Sequence, residues 1–233
     1  MSGGKTALVT GGARGIGLAI ARRLARDGYR VVVADREPGA DAPGRAVRCD
    51  VSDESQVAAL IRSIADTEGR LDALVCNAGF GIRKALRELT LTEWSSVIGT
   101  NLTSIFLLVR AAESLLRAAK GAIVTIASTR AHMSEPDTEA YSASKGGVVA
   151  LTHALSVSLA PDVRANCVSP GWIATKGPEP RADEHAFHPA GRVGRAEDIA
   201  ALAAFLLSGE AGFVTGAEFV ADGGVTRKMI YPD

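Results

Sequence analysis

The 233-residue chain lacks an excess of charge of either sign, since Lys and Arg total 26 and Asp and Glu also total 26. No net electrostatic field therefore draws the protein to nucleic acid or to an anionic membrane. Aromatic residues are few, at 5%, whereas hydrophobic residues make up 47% and charged residues 22%. These fractions are near the average of soluble globular proteins and argue against both disorder and a membrane protein. The length suits one large domain with a substantial core.

Long apolar runs and paired cysteines are also missing. Residues 1–5 lead directly into a strand-like segment without a signal sequence, and we expect no stretch long enough to span a bilayer. Cys49, Cys76 and Cys167 are odd in number, far apart and without the spacing of metal ligands. Each falls in or at the end of a strand-like run. We therefore expect three reduced, mostly buried thiols, no disulfide and a cytoplasmic protein.

A glycine-rich turn follows the first predicted strand, Thr6–Thr10. Residues 11–17 read Gly-Gly-Ala-Arg-Gly-Ile-Gly and lead into an amphipathic helix predicted from about residue 16 to residue 26. Glycines let the backbone approach a ligand, and a helix N-terminus offers free amide groups and a positive dipole end. This segment is typical of a phosphate site, although a tight turn without a ligand has the same glycines.

Asp35 ends the second predicted strand, about twenty residues after the glycine turn. A carboxylate at this position accepts hydrogen bonds from an adenosine ribose and repels a 2′-phosphate, which favours NAD over NADP. Arg14 and Arg36 keep NADP open, because a guanidinium group pairs well with a phosphate. Only about ten residues, rich in Pro and Gly, separate Asp35 from the third strand. We therefore expect a short irregular crossover there instead of a helix.

Strands and helices alternate along the rest of the chain. Further strands are predicted at about 46–49, 71–76, 121–127, 163–169 and 218–221, and helices at about 52–68, 92–118, 141–159 and 196–207. This order predicts one α/β domain, residues 1–233, with a Rossmann-type doubly wound parallel sheet of seven strands and helices on both faces. Polar residues at the carboxyl ends of such strands meet in one ligand cleft. Here they are Asp35, Asp50, Asn77 and Ser128.

Tyr141 and Lys145 are four residues apart, so on a helix they share one face. An ammonium group beside a phenol stabilises the phenolate, which lowers the pKa of the phenol from its usual value of about 10. Such a pair can exchange a proton near neutral pH. By itself the pair is also compatible with an ordinary helix that carries a surface Lys. Ser128, thirteen residues before Tyr141, is by itself also compatible with a structural hydroxyl at a strand end.

Residues 176–191 are polar, contain three Pro and include His185, Phe187 and His188. We expect this segment to form a mobile lid over the site. The spacing of the two His residues could suggest a metal, but no Cys or carboxylate cluster accompanies them. The sequence therefore predicts no metal site.

The segment after Ser128 is unusually polar for the wall of a binding site. Arg130 or His132, with Arg83, is a candidate contact for an anionic or polyhydroxylated substrate, although a solvated loop explains them equally well. Candidate apolar walls of the same site are Phe80, Trp172 and Phe187.

Taken in order, these motifs resemble those of the short-chain dehydrogenase/reductase family, in its compact single-domain branch, from Thr6 to about Met229. One set of matches concerns the cofactor. It comprises the glycine motif (Thr10, Gly11, Arg14, Gly15, Ile16, Gly17), the adenosine contacts (Asp35, Arg36, Asp50, Val51), the Asn-Ala-Gly signature (Asn77, Ala78, Gly79) and the segment lining the nicotinamide (Pro170, Gly171, Ile173, Thr175), together with Tyr141 and Lys145.

A second set of matches concerns catalysis, where Asn101, Ser128, Tyr141 and Lys145 match the family's tetrad. The resemblance implies an NAD(H)-dependent oxidoreductase that moves a hydride between nicotinamide and a small-molecule secondary alcohol or ketone. By the same resemblance Tyr141 is the general acid/base, and Lys145 lowers its pKa and binds the nicotinamide ribose. Ser128 orients the substrate oxygen, and Asn101 holds a water in a proton relay.

The resemblance also implies a homotetramer, with the helices of Asn101 and Tyr141 at one interface and residues 227–231 reaching a neighbouring subunit. Two other functions stay open. An NADPH-dependent 3-oxoacyl-carrier-protein-type reductase is permitted by Arg14 and disfavoured by Asp35. A non-catalytic nucleotide-sensing protein on the same fold is disfavoured by the intact tetrad.

Overall fold

The computed structural model describes residues 4–229. Residues 1–3 and 230–233 lie outside this range. The two ends of the predicted domain, 1–233, and residues 230–231 of the predicted intersubunit contact therefore lie outside the described residues. Seven strands form one parallel sheet: β1 (Thr6–Thr10), β2 (Arg30–Asp35), β3 (Arg45–Arg48), β4 (Ala73–Cys76), β5 (Ala122–Ile126), β6 (Arg164–Pro170) and β9 (Glu218–Ala221). The predicted seven-stranded parallel sheet is therefore confirmed.

The strand order is β3-β2-β1-β4-β5-β6-β9, so the direction of winding reverses between β1 and β4. Thr10 pairs with Ala34 of β2, and Val9 pairs with both Val33 and Val75, which aligns the carboxyl ends of these strands at one edge. A reversal of this kind opens a crevice in which open α/β sheets bind ligands.

Helices cover both faces of the sheet: α1 (Gly15–Arg26), α2 (Glu54–Thr67), α3 (Leu91–Ile98), α4 (Ser104–Ala119), α5 (Glu139–Ser158) and α7 (Ala196–Leu207). Successive strand residues point to opposite faces. In β1, Leu8 packs into the core with α2, α4 and α5, whereas Ala7 and Val9 pack into the core with α1 and α7. The uninterrupted apolar strands of the sequence are thus buried on both sides, as in parallel sheets generally.

Several predicted boundaries are confirmed, among them β1, α7 and β9 without any shift. The crossover between β2 and β3, all within the described range, contains no helix, as expected from its Pro and Gly content. Helix α2 begins after Asp53, whose carboxylate accepts hydrogen bonds from the Ser55 and Gln56 amides. This cap satisfies amide groups that have no partner within the helix.

The helix predicted at 92–118 is one continuous helical run, Leu91–Ala119, in which residues Gly99–Thr103 form a π-helical turn. The run is 29 residues long with a mean hydropathy of 1.3 over its most apolar window. The expectation that no stretch is long enough to span a bilayer was therefore wrong on length. Ile105, Leu108 and Leu116 of this run are buried in the core against the sheet, so in this fold it is a core helix.

The segment predicted as a lid contains a short helix, α6 (Ala182–Phe187), that the sequence did not predict. Two flanking pieces, β7 (Ile173–Ala174) and β8 (Gly194–Arg195), pair in parallel and bring the two ends of the segment together. The Glu184 carboxylate accepts a hydrogen bond of 2.7 Å from the Arg181 amide and so caps α6. The polar segment 176–191 therefore contains regular structure, and the pairing of β7 with β8 holds its two ends together.

Candidate functional site

A cleft of about 1050 Å³ lies at the carboxyl ends of the strands. Nearly all the predicted site residues line it; the exceptions are Thr10 and Asn101. The predicted residues on its wall are Gly11, Arg14, Gly15, Ile16, Gly17, Asp35, Arg36, Asp50, Val51, Asn77, Ala78, Gly79, Ser128, Tyr141, Lys145, Pro170, Gly171, Ile173 and Thr175. The structure therefore brings together residues that are distributed over more than two thirds of the sequence.

The glycine turn is packed too closely for side chains. A Cβ atom on Gly11 would lie 2.8 Å from the Ala78 Cα atom, and one on Gly17 would lie 2.3 Å from the Gly11 carbonyl oxygen. Gly15 has a φ of +56°, which disfavours other residues. Among the described residues, no side chain caps the N-terminus of α1, and its first turn contains no acidic residue. The free amides and positive end of α1 therefore fit an anionic phosphate.

Thr10 lies beneath this turn, fully buried, and not on the cleft wall. Its hydroxyl donates to the Val75 carbonyl oxygen at 3.2 Å and accepts from the Asn77 amide at 3.1 Å. The Asn77 side-chain amide donates to the carbonyl oxygens of Thr10 and Gly11, both at 3.0 Å. Thr10 and Asn77 thus hold the glycine turn against the end of β4. The sequence predicted both residues as cofactor contacts and did not predict this structural role.

Asp35 faces the cleft between the turn and the crossover. One carboxylate oxygen accepts from the Ala13 amide at 3.1 Å, and the other accepts from the Glu37 amide at 3.2 Å. Asp50, at the next strand end, accepts from the amide and hydroxyl of Ser52 at 3.0 and 2.6 Å. Together with Glu37, these carboxylates give this end of the cleft an acidic wall, beside the guanidinium groups of Arg14 and Arg36.

Helix α5 places Tyr141 and Lys145 on one face, with the Lys145 Nζ atom 5.5 Å from the centroid of the Tyr141 ring. The Lys145 side chain is buried, and its Nζ atom donates a 2.7 Å hydrogen bond to the Ile126 carbonyl oxygen. Burial lowers the pKa of Lys145 to about 8, because desolvation penalises the charged form. Lys145 is therefore no ordinary surface residue.

The pKa of Tyr141 is raised, mainly by burial, while a hydrogen bond from Ser128 and the positive charge of Arg130 act in the opposite direction. Desolvation of the phenolate outweighs the nearby charges. The prediction that Lys145, assisted by NAD⁺, lowers this pKa stays a prediction, because Lys145 is not among the groups that shift it here. The ammonium group of Lys145 also faces the Ile126 carbonyl oxygen.

Asn101 lies in the π-helical turn, 1% exposed, and its side chain is fixed by the protein. Its oxygen accepts from the Phe80 amide at 3.0 Å, and its nitrogen donates to the Phe80 carbonyl oxygen at 2.9 Å and to the Ser144 hydroxyl at 3.0 Å. A Cβ atom on Gly79 would lie 3.1 Å from this oxygen and 3.5 Å from the Lys145 Nζ atom. Asn101 thus lies near Lys145 but holds the 77–80 loop against α5.

The far end of the cleft contains Arg83, Arg130 and Glu135 together with apolar walls formed by Phe80, Trp172 and Phe187. The Ser128 hydroxyl accepts from the Arg130 amide at 3.2 Å, so this short segment turns at once after β5. His132 does not line the cleft, because its Nε2 atom lies 2.8 Å from a carboxylate oxygen of Glu218 on β9. Of the two polar candidates after Ser128, only Arg130 faces the cleft.

Sequence reasoning missed His188 as part of the wall. It is 4% exposed, its Nδ1 atom donates to the Glu184 carbonyl oxygen at 2.9 Å, and its ring lies 6.1 Å from that of Trp172 and 5.9 Å from that of Phe187. His185 points elsewhere and accepts from the Val193 amide at 3.1 Å. Within residues 4–229, no group of three or more His, Cys, Asp or Glu side chains could hold a metal ion.

Three thiols lie near or below the cleft, and all are free and buried, as predicted. Burial raises the pKa of Cys49 to about 11 and that of Cys76 to about 12. Since the thiolate is the nucleophilic form, these groups are poorly suited to nucleophilic catalysis. The phenol of Tyr141, the ammonium of Lys145 and the hydroxyl of Ser128 line the cleft without this restriction.

Comparison with known proteins places these features in a family. Residues 11–226 match the family described as Enoyl-(Acyl carrier protein) reductase. An "Uncharacterized oxidoreductase" of Thermotoga maritima is 46% identical, with 99% of each chain covered. A "Cis-4-hydroxycyclohexanecarboxylate dehydrogenase" of Sinomonas cyclohexanicum is 40% identical over 95% of this chain and 96% of its own. The solved structure of an apo SCOR enzyme from Clostridium thermocellum superposes with a TM-score of 0.93 at 37% identity, covering 99% of this chain and 96% of its own.

Proposed function

The chain belongs to the short-chain dehydrogenase/reductase family of oxidoreductases, and from this premise we propose an NAD(H)-dependent enzyme for a small-molecule secondary alcohol or ketone. The observation that carries the proposal is the Tyr141 and Lys145 pair, which faces the same cleft as the glycine turn. A phosphate site at one end and a proton-transfer group at the other are what hydride transfer from a dinucleotide requires.

In the proposed mechanism Tyr141 is the general acid/base. For oxidation, its phenolate accepts the proton of the substrate hydroxyl as the carbon loses a hydride; for reduction, its phenol donates that proton. When bound, NAD⁺ supplies the hydride acceptor and NADH the hydride donor. Ser128, which lines the same cleft as Tyr141 and acts to lower its pKa, orients the substrate oxygen and stabilises the developing alkoxide.

Lys145 has three N–H donors, of which one is used by the Ile126 carbonyl oxygen. The other two N–H groups are available to bind the nicotinamide ribose. In the proposed mechanism the positive charge of Lys145 also stabilises the Tyr141 phenolate. In the proposed relay Asn101 links Lys145 to solvent through a water. Because both side-chain N–H groups of Asn101 are occupied, that water would bind to its backbone carbonyl or its remaining oxygen lone pair.

The preference proposed for NAD depends on Asp35. Its carboxylate faces the cleft and would accept hydrogen bonds from the adenosine ribose, while the acidic wall with Asp50 and Glu37 repels a 2′-phosphate. Arg14 and Arg36 are the groups that would favour NADP. The residues proposed to contact the cofactor are those predicted from the sequence, except that Thr10 acts from beneath the turn.

We also propose a homotetrameric, cytoplasmic enzyme in which residues 176–191 close over the substrate. Phe106 on α4 is 47% exposed and Val157 on α5 is 77% exposed, which supports an interface along these helices. Phe187 and His188 of the 176–191 segment line the cleft. Multi-angle light scattering that reports a monomer would refute the tetramer.

The decisive test of the proposed function is a substrate panel of alcohols, sugars, ketones and ketoesters with NAD(H) and NADP(H) in both directions. Turnover of a secondary alcohol or ketone with NAD(H) is the expected result. A relative named 3-oxoacyl-[acyl-carrier-protein] reductase MabA, from Mycobacterium tuberculosis and 36% identical over 95% of this chain, favours a second function, an NADPH-dependent reductase of 3-oxoacyl carrier proteins. Turnover of acetoacetyl carrier protein with NADPH alone would establish it. No turnover of any compound would support a nucleotide-sensing protein.

A further inference from the structure

Two guanidinium groups share one carboxylate at the substrate end of the cleft. Arg130 lies 2.7 Å from one oxygen of Glu135, and Arg83 lies 3.3 Å from the same oxygen. All three side chains line the cleft. Two positive charges against one negative charge leave this end of the cleft with an excess of positive charge, although the chain as a whole is neutral.

Arg130 is the fixed member of this cluster. Its side chain is 25% exposed and donates to the Thr138 hydroxyl at 3.4 Å, while its amide donates to the Ser128 hydroxyl. Glu135 and Arg83 are 53% and 66% exposed, and an exposed ion pair is weak. The carboxylate of Glu135 can therefore leave Arg130 at small cost, whereas the less exposed Arg130 side chain keeps its hydrogen bond to Thr138.

The position of Arg130 relates it directly to the reacting groups. Its backbone binds Ser128, and its charge acts on the Tyr141 phenol. Phe80, Trp172 and Phe187 give the same cleft apolar walls. A hydrocarbon spacer that joins a hydroxyl group to an anionic group would match this combination of surfaces.

We propose that the substrate is a hydroxy acid or oxo acid whose carboxylate binds Arg130, with Arg83, in the place taken by Glu135 in the substrate-free protein. The proposal rests on the proposed function and names its substrate class. A carboxylate already occupies the site, and the planar guanidinium fork suits carboxylates. The overall reaction is hydroxy acid plus NAD⁺ to oxo acid plus NADH and H⁺, with the proton accepted by Tyr141.

The test uses matched substrates that differ only at the acid group: 3-hydroxybutanoate, 4-hydroxypentanoate and 5-hydroxyhexanoate, each beside its carboxamide. We expect kcat/KM to be about 30-fold higher for the best acid than for its amide, since hydrogen bonds to charged groups are strong. Arg130→Met should remove this difference, because it should raise KM for the acid far more than KM for the amide. Equal kcat/KM values for acid and amide in the wild type would overturn the proposal.

Two further variants sharpen the test. Glu135→Gln removes the competing carboxylate, so KM for the acid should fall about threefold. Arg87→Met is the matched control, because Arg87 is 86% exposed and does not line the cleft. This variant should leave kcat/KM for both the acid and the amide unchanged. A loss of acid preference in Arg87→Met as large as that in Arg130→Met would contradict a local carboxylate site.

Binding separates this proposal from the proposed function. Isothermal titration of 4-oxopentanoate, its amide and 4-oxopentyl phosphate into the NAD⁺-loaded wild type and Arg130→Met proteins needs no turnover, because neither the ketone nor NAD⁺ can donate a hydride. Binding of the acid that is lost in Arg130→Met supports the carboxylate site even if every alcohol and ketone in the panel is inert. Neutral substrates that turn over without acid binding would refute this inference alone. Tighter binding of the phosphate would overturn the carboxylate assignment.

Discussion

The Nζ atom of Lys145 lies 5.5 Å from the centroid of the Tyr141 ring, one helical turn away. Burial acts on the two groups in opposite directions: it lowers the pKa of Lys145 to about 8 and raises that of Tyr141. In both cases burial stabilises the neutral form of the group relative to its charged form. Near neutral pH the protein alone therefore holds a phenol ready to donate, and Lys145 is the group closer to changing its charge.

Tyr141→Phe should retain NAD binding and lose turnover. Removal of a general acid/base reduces kcat by about 100- to 10,000-fold, while the ring still packs against Gly81. Steady-state kinetics and titration of NAD by fluorescence measure the two effects. Tyr29→Phe is the control, because Tyr29 immediately precedes β2 and does not line the cleft. Near-normal turnover in Tyr141→Phe would exclude the assigned role.

Lys145→Met should inactivate the enzyme and yet stabilise the fold at pH 7. The pKa of about 8 in the folded protein lies below the ordinary Lys value of 10.5, so the unfolded chain binds more protons between these values. The destabilising contribution of Lys145 is therefore fully present below about pH 8 and disappears as the pH rises towards 10.5. At about 1.4 kcal/mol per pKa unit this contribution is roughly 3 kcal/mol, partly offset by the hydrogen bond to Ile126.

Urea unfolding of the cofactor-free proteins across this pH range tests the prediction. The variant should be more stable by about 2 kcal/mol at pH 7, after the loss of that hydrogen bond is allowed for. Its advantage should shrink above pH 8. A variant that is less stable at pH 7, or a difference that does not change with pH, would contradict the burial argument.

Asp35→Ser should change the choice of cofactor. We expect the wild type to use NAD with a kcat/KM about tenfold or more above that for NADP. The substitution should reduce this ratio about 30-fold, because it removes both an acceptor for the ribose and a charge that repels phosphate. Asp41→Ser, on the exposed crossover, should leave the ratio unchanged. A wild type that prefers NADP would overturn the role of Asp35.

Asn101→Ala should unfold more easily than the wild type, by about 3 kcal/mol. The substitution leaves the backbone groups of Phe80 and the Ser144 hydroxyl without their buried partner. Thr103→Ala in the same π-helical turn is exposed and should have little effect. Denaturant unfolding measures the free energy of unfolding of both variants. An unchanged free energy of unfolding in Asn101→Ala, together with a large loss of kcat, would show that the side chain of Asn101 serves only the reaction.

The parts of this protein that follow from local chemistry could be predicted. Gly11 and Gly15 have positive φ values, so only glycine suits them well, and the sequence shows this directly. Parallel strands buried on both faces, such as β1, are largely apolar, which places the strand ends and therefore Asp35 and Ser128. Proximity of Tyr141 and Lys145 follows from the period of the helix.

Features that depend on tertiary packing could not be predicted. The π-helical turn around Asn101 has no pattern of its own, because its hydrogen bonds to Phe80 and Ser144 come from distant segments. Helix α6 has only six residues, too few to show a period. The raised pKa of Tyr141 reflects burial by the whole fold, which the i to i+4 spacing with Lys145 does not contain.

The two hydrogen bonds that Asp35 accepts from the backbone have a consequence for evolution. The carboxylate proposed to choose between NAD and NADP also holds the Ala13 amide of the glycine turn. A lineage that drifts towards NADP by replacing Asp35 would loosen the turn that binds the phosphates of either cofactor. We therefore expect Asp35→Ser to shift the preference at the expense of activity with both cofactors, and full activity with NADP to require a second substitution that supplies a new acceptor for Ala13.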